Sequence, residues 1–241
     1  MSWLLVTEFS YLSPRLHSWL YDLFSPVYAL KHRDQRYADG AVTEELFRQP
    51  LRQALSLGTA GSIYLDLACG GGRLSSMVLN ELGYEGQLTA VDLSAGMLRE
   101  FRTRLTAEGR AYSFLSDLEQ LQTAEPNPQP KLLQADLARV IADKTPYFEQ
   151  LKGQVNAITL CEVSEFLPDF ERVLSWCAEL LVPGGLLLLT RPTDPNSWLF
   201  WGRQQGRADY RRLASKHGYL EPQFKPWTWC YEVVTLWRQA H

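Results

Sequence analysis

The chain has 241 residues, long enough for one full α/β domain with additions, and its 46% hydrophobic share supports a sizeable core and excludes a disordered chain. The formal net charge is -3 and no basic block stands out, which argues against a nucleic-acid backbone as the main partner. The four cysteines (Cys69, Cys161, Cys177 and Cys230) are scattered without metal-type spacing, so we expect buried thiols in a reducing compartment, with neither a disulfide frame nor a metal site.

The first residues form an apolar run that Glu8 interrupts too soon for a signal peptide. No stretch is long and apolar enough to span a bilayer. The expectation is a cytoplasmic protein with no stable membrane insertion. Residues 1–58 read as a helical cap ahead of the first strand. Tyr11, Leu16, Trp19, Leu20, Leu23 and Phe24 make a greasy, aromatic segment broken at Ser25-Pro26. A second helix is predicted over Thr43–Leu57, capped by Thr43, with Leu46, Phe47, Leu51 and Leu55 as its apolar stripe and Pro50 as a kink. These aromatics serve either packing alone or packing plus substrate contact.

Residues 59–241 carry the chemistry. Ile63–Leu67 is a short apolar run that reads as a buried strand, and it leads into Gly70-Gly71-Gly72. A helical pattern with Leu74, Val78 and Leu82 on one face follows. Strand, glycine turn and helix together make the start of a nucleotide-type crevice, where bare backbone must approach a ligand. Leu88–Asp92 is the second strand. Asp92 follows Gly72 by about twenty residues, the spacing at which a carboxylate can accept hydrogen bonds from ribose hydroxyls. Asp92 could instead cap the next helix, though Ser94 can also take that part. Met97, one turn further on, packs either near an adenine ring or in the core.

The stretch Asp66, Ala68, Cys69, Gly70 and Gly72 resembles the signature of the class I S-adenosylmethionine-dependent methyltransferases, with Ala68 in place of the first glycine. The resemblance implies S-adenosylmethionine as cofactor, bound at those residues and at Asp92 and Leu93. A dinucleotide site is the rival reading: its fingerprint would place glycine or alanine where this chain has Ser75.

Residues 110–130 are an insertion, with an extra helix or hairpin over Tyr112–Gln122 and a proline-rich loop at Pro126–Pro130. Lys131–Ala135 is the third strand, ending in Asp136-Leu137. The resemblance places Asp136 and Leu137 against adenine; otherwise Asp136 caps the helix Leu137–Ala142. Val155–Leu160 is the fourth strand. Cys161, Glu162, Ser164 and Glu165 follow it, where the resembled family holds the methionine part of the cofactor and the methyl acceptor. No Asn-Pro-Pro-Tyr-like element stands there. Phe170, Val173, Leu174, Cys177, Leu180 and Leu181 mark an amphipathic helix stopped by Pro183-Gly184-Gly185, and Leu186–Thr190 is the fifth strand.

Trp198, Phe200 and Trp201 form either an acceptor pocket or a hydrophobic plug. After a helix over Ala208–His217, two strands near Gln223–Thr228 and Tyr231–Trp237 lie too close together for a crossover helix, so they must pair antiparallel. The expected architecture is therefore α/β: a Rossmann-like doubly wound sheet, mostly parallel with an antiparallel C-terminal strand, plus the N-terminal helical cap. The expected function is methyl transfer to a small, aromatic or lipophilic acceptor. Glu162, Glu165, Tyr11, His17 and His32 are open candidates for a base. The alternatives are a non-catalytic S-adenosylmethionine-binding regulatory or scaffold protein, and a less favoured NAD-dependent oxidoreductase.

Overall fold

The computed structural model describes residues 19, 21–23, 41–56, 61–123, 129–143, 145–167, 169–193, 205–228 and 231–240. Tyr11, His17, His32 and the Trp198–Trp201 cluster lie outside them. The expectations that rest on those residues are therefore not addressed by the fold.

Among the described residues eight strands form a single sheet: β1 (Ile63–Leu67), β2 (Gln87–Asp92), β3 (Ser113–Leu115), β4 (Lys131–Gln134), β5 (Val155–Leu160), β6 (Leu181–Pro192), β7 (Gln223–Pro226) and β8 (Tyr231–Trp237). Their order is β3-β4-β2-β1-β5-β6-β8-β7. Strands β3 to β6 across the order pair in parallel, and β8 pairs antiparallel with both β6 and β7. The strand order reverses at β1, which sits centrally between β2 and β5. In a doubly wound sheet that reversal opens a crevice at the carboxyl ends of the strands.

The helices with described bounds are α1 (Ala41–Ser56), α2 (Arg73–Glu81), α3 (Ala95–Ala107), α4 (Leu118–Thr123), α5 (Leu137–Ala142), α6 (Pro146–Gln150), α7 (Phe170–Leu180) and α8 (Arg207–Lys216). They cover both faces. Phe47 and Leu51 of α1, Leu74 and Val78 of α2, and Leu98 and Phe101 of α3 join Tyr64, Leu88 and Leu188 on one side. Val140, Phe148, Val173, Leu174 and Leu213 join Leu65, Leu133, Ile158 and Leu187 on the other. Alternate residues of each central strand thus feed opposite cores, which is why these strands read as continuous apolar runs. No helix among the described residues is long and apolar enough to cross a membrane.

Three expectations need correction. Helix α1 already begins at Ala41, so Thr43 lies in its first turn and not at its cap. Tyr112–Gln122, expected as an extra helix or hairpin, instead holds an edge strand over Ser113–Leu115 that pairs in parallel with β4, followed by α4. The Pro183-Gly184-Gly185 segment is not a separate turn, because β6 starts at Leu181 and carries these residues within it, with Gly184 at φ 76°. Its pairing with β5 is irregular between Val155 and Ala157, which accommodates them.

Candidate active site

The corner after β1 is built from left-handed residues. Ala68, Gly70 and Gly72 have φ of 57°, 53° and 74°. The Cys69 amide donates to the Val91 carbonyl at 3.0 Å, so the corner is tied to β2. The two glycines serve different ends. A methyl group on Gly72 would overlap the Phe101 ring, so this glycine lets α2 and α3 pack closely. Among the described residues a methyl group on Gly70 would meet nothing within 4 Å, so within them this glycine faces open space. Bare backbone beside an open crevice suits close approach by a ligand.

Asp92, at the end of β2, spans two turns. Its Oδ2 accepts from the Gly70 amide at 2.7 Å and its Oδ1 from the Ser94 amide at 2.8 Å. Burial raises its pKa to about 6; those two amides pull it down, while Asp66 and Asp22 push it further up. Ser94 caps α3, accepting from the Met97 amide at 3.0 Å, and this leaves the Asp92 carboxyl at the strand end. Leu93 is half-buried beside it, and Met97 is buried.

Asp66 is placed differently. Its side chain is 3% exposed and is gripped from both sides by hydroxyls, Ser75 at 2.6 Å and Thr159 at 2.7 Å. Burial raises its pKa. The carboxyl therefore joins β1, α2 and β5 beneath the glycine corner. Ser75, whose position looked diagnostic only against a dinucleotide fingerprint, is the residue that fixes it.

Asp136 caps α5, accepting from the Ala138 amide at 2.9 Å, and Leu137 packs into the core. The Ala135 amide donates to the Asp92 carbonyl at 3.0 Å, so the end of β4 is held against the end of β2.

Past β5 the chain turns through Cys161 and Glu162. Burial pushes the Cys161 thiol up, out of the range of a reactive thiolate. Glu162 has φ 54°, a strained position for a residue with a side chain, and its amide donates to Thr190 Oγ1 at 2.7 Å. Its carboxylate lies 4.0 Å from the Arg73 guanidinium, which stands 5.6 Å from the Phe47 ring and 5.1 Å from the Trp227 ring. A wall of cation and aromatic faces thus runs from the glycine corner to the β7–β8 hairpin. Glu165, in a 3-10 turn over Ser164–Phe166, is 1% exposed. It accepts from the Tyr231 hydroxyl, and from Ser164 Oγ at 3.3 Å. Burial raises its pKa to about 7.

The strand ends thus bring Gly70, Gly72, Asp92, Asp136, Cys161, Glu162 and Glu165 to one edge of the sheet. Two participants escaped the sequence reading. Asp22 accepts from Ser94 Oγ and from the Gly96 amide, both at 2.7 Å, and so pins the N-terminal segment to α3. Tyr231 reaches Glu165 from the antiparallel strand β8. No local pattern marks either residue, because the contacts join residues 72, 74 and 66 positions apart. Among the described residues no cluster of three metal-ligating side chains is present.

A family model described as "Methyltransferase domain" matches residues 65–187, just over half of the chain. The chain belongs to the class I S-adenosylmethionine-dependent methyltransferases. The family's cofactor is S-adenosylmethionine. Among curated methyltransferases, this one is 31% identical over 150 residues to the ubiquinone biosynthesis O-methyltransferase of Dechloromonas aromatica, an alignment covering 61% of this chain and 51% of that one. It is 34% identical over 134 residues to the protein of the same name from Xanthomonas oryzae pv. oryzae, covering 56% and 44%. The chain spans about half the length of the curated relatives it matches.

Solved structures place this methyltransferase in the same fold. The CurJ carbon methyltransferase superposes with a TM-score of 0.60 at 17% identity, over 91% of this chain and 61% of that one. The [4+2]-cyclase SpnF gives 0.64 at 13%, over 95% and 98%. Phosphoethanolamine N-methyltransferase 2 of Haemonchus contortus, in complex with S-adenosyl-L-methionine, gives 0.54 at 13%, over 87% and 59%.

Proposed function

We propose that this chain transfers the methyl group of S-adenosylmethionine to a small acceptor with an aromatic or lipophilic body, and not to a nucleic acid. The observation that carries the reading is the left-handed corner whose Gly70 faces open space while its amide is held by Asp92. That corner fits a cofactor whose amino-acid and ribose parts must lie against backbone. In this reading Ala68, Cys69, Gly70 and Gly72 line the methionine end, with Asp66 fixing the corner from below. Asp92 and Leu93 hold the ribose. Met97, Asp136 and Leu137 flank the adenine, and Cys161 closes the floor. Bound there, the cofactor supplies a methyl carbon already made electrophilic by its positive sulfur.

The chain's own task is then to align the acceptor's nucleophilic atom with that carbon. Positioning of this kind can account for about 7–11 kcal/mol of a barrier, so no nucleophile on the protein is required. Arg73, seated over the buried rings of Phe47 and Trp227 with its side chain 20% exposed, offers a flat cationic group that an aromatic acceptor would stack on. The curated relatives are named O-methyltransferases, which favours a hydroxyl oxygen as the attacking atom.

Isothermal calorimetry with S-adenosylmethionine, S-adenosylhomocysteine and NAD tests the cofactor assignment. Binding of the first two and not of NAD is expected, and binding of NAD alone would overturn it. A second reading, cofactor binding without methyl transfer, is favoured by the breadth of this fold, which also carries a protein described as a cyclase. Transfer of labelled methyl to any metabolite of a cell extract separates the two, since the second reading requires none.

A further inference from the structure

Helix α3 is supplied with acceptors twice over. Its own cap is Ser94, whose Oγ accepts from the Met97 amide at 3.0 Å. The other is Asp22, whose Oδ1 takes the Ser94 hydroxyl and the Gly96 amide, both at 2.7 Å, across 72 and 74 positions of chain. The Gly96 amide is one of the donors that a helix start leaves open, and aligned peptide dipoles favour a carboxylate at that end. With Ser94 in place, α3 does not need an acceptor from so far up the chain. What the two extra bonds fix is the N-terminal segment.

Ser94 is also the residue that steadies Asp92. Its amide donates to Asp92 Oδ1 at 2.8 Å, while Asp92 Oδ2 takes the Gly70 amide at 2.7 Å. Asp22, Ser94, Asp92 and Gly70 thus make one hydrogen-bonded line from the N-terminal segment to the glycine corner. Residues 21–23 are helical; Leu23, and Trp19 one turn before it, are exposed, while Tyr21 and Asp22 are half-buried. The inward side meets the strand ends. Burial, and then the negative charges of Glu162, Glu165 and Asp92, push the Tyr21 hydroxyl up, so this residue stands by the ends of β5 and β2 together.

We propose that Asp22 is a positioning residue for the cofactor: its tie to Ser94 and Gly96 latches residues 21–23 across the ribose end of the cleft, and bound S-adenosylmethionine leaves when that latch opens. The inference rests on the cofactor assignment above. A cofactor beneath this segment gains contacts from it only while the tie is made, so binding favours the latched state and the latched state favours binding by the same factor. Asp22 and Asp92 repel one another. The accepting oxygen, and not attraction of its charge to the site, therefore seats Asp22, and an uncharged acceptor of the same shape should serve as well.

The test follows S-adenosylhomocysteine leaving the whole chain by stopped flow, and hydrogen exchange of residues 19–23 in the same samples. Asp22→Ala removes the acceptor and should raise the dissociation rate about 10-fold. Asp22→Asn keeps an oxygen for both donors, and since Asn serves helix starts as well as Asp it should stay within about 3-fold of the wild type. That rescue separates a latch from a general loosening of the chain. Exchange at residues 19–23 should be faster in Asp22→Ala than in the wild type. A further readout needs no variant and decides the matter even if Asp22→Ala does not fold: in the wild type, S-adenosylhomocysteine should slow exchange of residues 19–23 about 10-fold. An unchanged dissociation rate in Asp22→Ala, an asparagine variant as fast as the alanine one, or wild-type exchange untouched by S-adenosylhomocysteine each overturns the latch. Failure of the wild type to bind S-adenosylhomocysteine, seen before any rate is measured, overturns the cofactor assignment beneath it.

Discussion

Asp92 shows how much a single residue is asked to do. Its two oxygens already hold the Gly70 and Ser94 amides, so they are oriented before any ligand arrives. Its pKa of about 6 gives a signed expectation for binding. Above that pH the carboxylate can accept from ribose hydroxyls; below it a proton occupies one oxygen. S-adenosylmethionine affinity should therefore fall as pH drops through about 6, as titration calorimetry would record. Asp92→Asn should flatten that dependence and weaken binding about 10- to 100-fold at neutral pH, the loss expected for charge-assisted hydrogen bonds of about 1.5–3 kcal/mol. Backbone strain makes its own prediction next door. Ala68 is left-handed at φ 57°, a conformation that costs an L residue roughly 1–2 kcal/mol, while glycine costs roughly 0.5–1 kcal/mol in entropy. Ala68→Gly should thus stabilise the fold by about 0.5 kcal/mol, measurable by urea unfolding.

Between elements, a buried electrostatic tie joins Arg191 on β6 to Glu232 on β8, with Arg207 from α8 sharing the same carboxylate. Arg191 and Glu232 are each 2% exposed at the side chain. Burial alone would raise Glu232, but the two guanidiniums more than reverse this and hold it below the usual carboxylate range. A carboxyl with a lowered folded pKa adds stability above its unfolded pKa, and that stability is lost as pH falls through the folded value. Glu232→Gln removes the buried carboxylate that Arg191 and Arg207 share and should cost about 3–5 kcal/mol in chemical denaturation, whereas the wild type should approach that loss only in acid. Elements of this size were legible in the sequence. The leucine and valine spacing gave α7, the apolar runs gave β1, β2 and β5, and the short gap between β7 and β8 required an antiparallel pair. What was not legible is side-chain partnership across distant elements. Glu232 reads as one exposed charge in an alternating strand until β6 is laid beside it. Ser113–Leu115 is too short to announce itself as a strand and becomes one only because β4 offers a free edge.

At the scale of the whole molecule, the described residues form two cores on either side of one sheet, with the candidate site along the edge where the strand order reverses. The corner after β1, the ends of β2 and β4 and the N-terminal segment meet there through the Gly70–Asp92, Ala135–Asp92 and Asp22–Ser94 bonds. A ligand lying across these parts would tie them together only in the folded state, and mass action then raises stability of the entire chain. At a concentration of 100 times its Kd, S-adenosylmethionine should add about 2.7 kcal/mol. For a chain of this length each kcal/mol moves the midpoint by about 2–4 °C, so the thermal shift should be about 5–10 °C. S-adenosylhomocysteine should act in the same direction and NAD should leave Tm unchanged. At fixed ligand concentration the shift should shrink in Asp92→Asn but persist in Glu171→Gln, because the first residue is assigned to the cofactor and the second pairs with Lys216 on the exposed side of α7 and α8. Equal shrinkage in both variants would mean that the end of β2 holds no part of the cofactor, and the role argued for Asp92 would have to be abandoned.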